Sequence, residues 1–217
     1  MKWRSTETVD GMTEELKKHL ICCENAMHSA TQVLAQHAFP TDPRTLTVIG
    51  FISVLVEHQE SILLLIVHGN TGSASTLVRP VVEGAFRALW INRAATDAEV
   101  KRFNERDVID LKFGDVAAAL DNTYGGSGMF QSFKTRTWGP LNSYTHGGMH
   151  QIWRRFNKGE VANKYSEEDI REITTLVTLV VLLTISLFLE KHGHASSVNR
   201  VRAILRGFDP EMGASAS

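Results

Sequence analysis

Only two of the 217 residues are cysteine and five are proline, and 23 lysines and arginines nearly cancel 24 aspartates and glutamates. Cys22 and Cys23 are adjacent, and neighbours on a helix point about 100° apart, so no disulfide framework is expected. Both read as small buried residues in a reducing cytoplasm. The near-zero net charge excludes a global attraction to nucleic acid or to an acidic membrane. Met1–Gly11 is polar and lacks an apolar core, so no secretory leader is expected. The chain also lacks a P-loop, a dinucleotide-binding glycine fingerprint and a serine nucleophile elbow. What remains, 43% apolar and 22% charged residues, is the composition of a globule. A chain of this length buries a core without metal or disulfide, and no metal or cofactor is expected.

Helical periodicity runs through the sequence and no convincing alternating strand interrupts it. Thr13, ahead of Glu14 and Glu15, opens a helix to about Ala38, which Phe39-Pro40 ends. Asp42-Pro43 starts a second helix to about His68, and Ser73 or Ser75 starts a third through about Ala95. Thr96-Asp97-Ala98-Glu99 has capping-box spacing and opens a charged helical stretch to about Tyr124. Beyond the Gly125–Gly128 loop come a short helix near Phe130–Thr137 and a segment broken at Pro140 and Gly147-Gly148. Ser166-Glu167-Glu168-Asp169 caps a helix reaching His192, and a basic last helix covers about Ser197–Leu205. Ile173–Leu189 is uncharged for 17 residues, but it is short for a span and rich in threonine. It reads as the buried central helix of a bundle, with no membrane crossing. The expected architecture is all-α: a single-domain multi-helix bundle with long central apolar helices. It spans residues 1–217, is ordered over about 12–206, and has flexible ends at 1–11 and 207–217.

Charges inside the apolar helices are the informative feature. Arg79, Glu83, Phe86 and Trp90 share one stripe of the third helix, whose circumference is otherwise mostly apolar. Burying two ions costs several kcal/mol each unless they pair, and a spacing of four allows Arg79 and Glu83 to pair with each other. In the second helix His58 lies among Phe51, Val54 and Leu65, with Glu57 beside it. Two readings stand: a purely structural polar network, or a site in which Glu57 and His58 support Arg79 and Glu83.

Trp138–Arg155 concentrates hydroxyls, an amide, two histidines and two glycines, a composition typical of functional loops. Ser143, Tyr144, His146, Gly147, Gly148, Arg154 and Arg155 are its candidate ligand-binding residues. His146 and His150 are four apart, but the glycines between them disfavour a common helix face and no third metal ligand is near. Gly147-Gly148 instead leads into a helix whose free N–H groups would face an anion, followed by two arginines suited to phosphate. Charge supports this: 134–164 holds six lysines and arginines against Glu160, a net of +5, whereas 97–121 carries seven acids and four bases. A merely solvated basic face is the alternative.

Glu57-His58, Arg79-Pro80-Val81-Val82-Glu83 and Ser143-Tyr144-Thr145-His146 resemble a group of uncharacterised bacterial all-helical proteins, domains of unknown function. These share an Arg-x-x-x-Glu helix and a Ser-Tyr-x-His segment, and the resemblance covers about Glu57–Arg155. It implies a helical fold and a bacterial cytoplasmic origin, and no established reaction. A looser likeness is to HEPN helical bundles, some of which are metal-independent ribonucleases. Those enzymes carry arginine and histidine separated by four to six residues, whereas nine residues separate Arg136 from His146 here. Three functions are therefore weighed. The favoured one is a module binding a phosphate-bearing ligand, nucleotide or RNA. The others are a HEPN-like ribonuclease with His146 as the catalytic acid or base, and a non-catalytic homodimeric interaction protein.

Overall fold

A computed structural model describes residues 2–3, 11–126, 128–157 and 160–208. The helices are α1 Glu14–Leu34, α2 Pro43–Val67, α3 Thr71–Leu89, α4 Asp97–Arg106, α5 Phe113–Tyr124, α6 Met129–Thr145, α7 Met149–Trp153, α8 Glu167–Lys191 and α9 Ala195–Phe208. Extended pairing among the described residues is confined to two-residue strands. β1 Lys2–Trp3 runs parallel to β3 Glu160–Val161, and β2 Phe156–Asn157 runs antiparallel to it. The all-α architecture follows the helical periodicity. Of the termini expected to be flexible, Lys2–Trp3 pair with β3 and Gly207–Phe208 continue α9. Residues 1, 4–10 and 209–217 lie outside the described residues, as do Ser127 of the glycine loop and Lys158 of the basic stretch.

α8 is the centre, with α1, α2, α3 and α9 packed around it. Val177, Val181, Leu182, Ile185, Phe188 and Leu189 are all fully buried. Its threonines do not spoil this burial, because Thr174 and Thr184 donate to the Ile170 and Val180 carbonyls one turn back. By length and composition α2 and α8 could each cross a membrane, yet over half of the most apolar stretch of α8 is buried among its neighbours, against a third for α2. The start of α8 is fixed by its capping box and by Glu167, which accepts from the Thr13 N–H and hydroxyl at 2.8 and 2.6 Å. The two helix starts are thus tied together. Cys23 is buried and its thiol is pushed up to about 11 by that burial, whereas Cys22 is exposed, contrary to expectation.

Other departures from the sequence reading have local causes. α1 ends four residues early because His37 turns aside to stack on His194 at 3.8 Å and to bond Ser197 at 2.8 Å. α3 starts at Thr71 and passes at Leu89 into a π turn, Trp90–Ala94, where the Ala95 N–H reaches back to the Trp90 carbonyl. The displaced carbonyls take other donors: Tyr124 Oη bonds Leu89 O at 3.2 Å, and Arg44 bonds Ile91 O at 2.5 Å. The stretch 97–124 is two helices. Asp107, at φ 53°, is a left-handed cap that ends α4, while Ile109 and Leu111 fold onto the core before α5. α6 runs through Pro140 without a break; the Arg136 carbonyl that loses its helical donor belongs to an exposed residue, where the loss costs least.

His37, His192 and His194 crowd Phe39 at the end of the bundle where α1 and α8 finish. Burial holds His192 below its ordinary value, helped by Lys191 and His194, while Asp42 opposes it; burial and His37 do the same for His194. These depressed values mean that the neutral rings stabilise the fold above the unfolded value of about 6.5, and that stability is lost as pH falls through the folded values. Urea unfolding should therefore show falling stability from about pH 7 to 5, with a shallower slope in His194→Gln. Identical slopes for both proteins would remove the stacked pair as the cause.

Candidate functional site

Pro80 shapes the site. Lacking an N–H, it leaves the Thr76 carbonyl of α3 without a helical donor, and Thr145 Oγ1 of α6, which bonds its own Leu141 carbonyl at 3.0 Å, lies 3.5 Å from that oxygen. The end of α6 is thereby docked beside Arg79, and its cap residue, His146, meets the guanidinium. Arg79 Nε donates to Glu83 Oε1 at 2.8 Å, Nη1 donates to His146 Nε2 at 2.6 Å, and the guanidinium lies 4.7 Å over Trp138. Arginine only donates, so Nε2 is the acceptor and the ring proton sits on Nδ1. The Arg79 and Glu83 side chains are 19% and 20% exposed, and Arg87 approaches Glu83 at 3.7 Å. His146 itself is exposed. Three of the predicted residues, 67 positions apart at the extremes, thus form one chain of contacts.

The Gly147-Gly148 turn works differently from expectation. Gly147 has φ 66°, and a Cβ on Gly148 would fall 2.4 Å from Ser143 Oγ, so the turn closes only with glycine there. Ser143 Oγ accepts the His150 N–H at 3.0 Å and its carbonyl takes the Gly148 N–H. The five-residue α7 therefore has its start partly capped by Ser143, so the Gly148 and His150 amides expected to face an anion are already bonded within the chain. Arg154 is likewise corrected. It forms a bidentate pair with Asp169, both contacts at 2.6 Å, so it anchors the start of α8 and is not free for a ligand. Burial raises the Asp169 carboxyl, but hydrogen bonds from Arg154 and Ser166 outweigh this and hold it below the usual carboxylate range.

Arg155 is the arginine left over. Its guanidinium rests on Gly72, where a Cβ would stand 2.0 Å from Nη2, and it makes no ion pair among the described residues. Gln151 donates to the Gly72 carbonyl and Asn163 to the Gly69 carbonyl, so both residues are stitched to the start of α3. Tyr144 lies within ring contact of His150 and Tyr165, the latter a phenol pushed up by burial. Gly72 and Arg79 are seven apart on α3, so the position where Arg155 rests and the Arg79 Cα lie on one helix face, about 10 Å apart along the axis.

Glu57 and His58 do not join this site. Glu57 is exposed, His58 is half-buried, and neither has a polar partner among the described residues. The buried polar residue beside them on α2 is Gln59, whose Nε2 faces the Cys23 carbonyl and Thr178; Thr45 is buried at the helix start. Trp138, Arg87 and Asp169 were missed as partners. Trp138 sits in the segment singled out for function, and Asp169 in a recognised cap. Among the described residues no group of three His, Cys, Asp or Glu is placed to hold a metal ion.

Two stability measurements check the assignment. Arg79→Ala should cost about 2 kcal/mol in urea unfolding, below the ~3–5 of a fully buried pair because Glu83 keeps Arg87 nearby. Arg154→Ala should cost about 1–2 kcal/mol by unfastening α8, with the loss disappearing once Asp169 is protonated at acid pH. An Arg154→Ala protein as stable as wild type at neutral pH would show the bidentate pair to be dispensable.

No curated protein and no solved structure matches the chain. The model of DUF6988, a family of unknown function, matches residues 52–213, which takes in α3, the whole site and all but the start of α2. The chain belongs to the DUF6988 family.

Proposed function

We propose that the chain is a binding module for a phosphate-bearing ligand, a nucleotide or RNA, recognised on the face of α3 that carries Arg79, His146 and Arg155. The observation that supports this is the 2.6 Å hydrogen bond from Arg79 to exposed His146. Glu83 and Trp138 hold the guanidinium flat and oriented, leaving its remaining Nη N–H groups to donate, while the imidazole Nδ1–H points away from the guanidinium. A phosphoryl oxygen arriving there receives charge-assisted donors in a fixed geometry. Unpaired Arg155 extends the cationic surface by about 10 Å along the helix, enough to meet a second phosphate.

A second reading rests on the same contact. An imidazole beside a guanidinium is the minimal equipment for phosphodiester cleavage without metal: histidine moves the proton and arginine stabilises the developing charge. This is the chemistry of the HEPN-like alternative, with the arginine coming from another helix and not from four to six residues away.

Nucleotides and a short RNA titrated against wild type, His146→Ala and Arg155→Ala separate the possibilities. The binding module predicts that each variant loses at least tenfold in affinity while keeping its fold. Wild-type binding should also weaken as salt rises from about 50 to about 200 mM. Gly72→Ala is the complementary test, because its methyl displaces only the flexible end of Arg155 and should lower affinity without lowering stability. The enzyme predicts RNA cleavage without added metal that His146→Ala stops while sparing affinity. Equal, negligible binding by every protein would leave only a structural network.

A further inference from the structure

α1 and α2 each pack on α8 more extensively than on one another, and a groove of about 890 Å³ opens between them. It lies apart from the Arg79–His146 site. Its apolar lining includes Ile21 of α1 and Leu64 of α2, which are 54% and 59% exposed, large values for aliphatic side chains. Both rims are acidic: Glu24 stands on α1, and Glu57 and Glu60 on α2, all exposed and without an ion pair among the described residues. The cation in the lining, Lys17, is bound to Glu14 at 2.8 Å. Gln59 also lines the groove. It is 1% exposed, and its Oε1 accepts no hydrogen bond. A buried acceptor without a donor is unfavourable, so Gln59 marks a polar defect at the floor of the groove.

We infer that this groove is a docking site for a basic amphipathic helix of a partner protein. The apolar strip takes the aliphatic face of such a helix, and the carboxylates on both rims take lysines or arginines flanking that face. From Glu57 to Val67 the wall runs ten residues, about 15 Å, room for three helical turns. Charge selects against other occupants. An anionic lipid surface is repelled by three unpaired carboxylates, and a second copy presenting this same face would set its acids against these.

The test uses the full chain and two labelled synthetic helices of about 14 residues, one built of leucine and lysine and one of leucine and glutamate. Fluorescence anisotropy should show the lysine peptide binding at least tenfold more tightly than the glutamate peptide. Charge reversal by Glu57→Lys with Glu60→Lys should cost at least tenfold, as should Leu64→Asp, with circular dichroism unchanged because all three positions are exposed. Two results overturn the inference. One is equal binding of both peptides, or undiminished binding by the charge-reversed protein. The other is a dimer in sedimentation that Leu64→Asp dissociates, which gives the groove to a second copy.

Discussion

Everything in this molecule depends on covering α8. A helix with seventeen uncharged residues in succession is stable in water only if other helices take its surface, and burying each large aliphatic contributes about 1.5–3 kcal/mol. α1, α2, α3 and α9 do so. Thr174 and Thr184 fit because their hydroxyls bond within their own helix, while Thr175 and Thr178 meet His19 of α1 and Gln59 of α2. Its N-terminus, where the chain emerges from the basic segment, is gripped from two sides: Thr13 holds Glu167, and Arg154 holds Asp169. Two acidic residues that read as ordinary first-turn charges are therefore tie points between distant parts of the chain.

The site on α3 is a by-product of that packing made specific by two residues that helices usually avoid. Pro80 opens the hydrogen-bond ladder so that Thr145 can approach, and Gly72 leaves space for a guanidinium against the helix backbone. Between them they set where two arginines from different segments stand relative to each other. Glu83 and Trp138 then restrict the Arg79 guanidinium to one plane, which removes the rotamer freedom that a surface arginine normally keeps.

Much of this was legible in the sequence where the physics is local. The caps at Thr13, Asp42, Thr96 and Ser166 placed four helix starts correctly, because each cap side chain bonds an amide three residues on. The Arg79–Glu83 pair was legible for the same reason, a spacing of four on an apolar helix. What was not legible depends on side chains far apart in the chain. Nothing near Arg154 announces Asp169, so the arginine read as free. Ser143 capping α7 cannot be seen from composition, so Gly147-Gly148 read as an open anion site. Pro140 misled in the opposite sense: its penalty is an unmet carbonyl, and that carbonyl belongs to an exposed residue. The one-residue neighbourhood of Glu57, His58 and Gln59 shows how narrow the margin is, since a rotation of about 100° moves the buried polar role from one to the next.

The π turn at Trp90–Ala94 has a further consequence for how the chain tolerates change. One extra residue is held inside the helix there, and its geometry is used by Tyr124, by Arg44 and by Asn92, which reaches the Leu187 carbonyl. Deleting a single residue would restore a regular ladder and rotate everything after it by about 100°, tearing out all three attachments at once. Insertions between α4 and α5, in contrast, fall where the chain is already left-handed at Asp107 and exposed. Length variation is thus strongly confined: nearly forbidden at residues 90–94 and cheap about fifteen residues later.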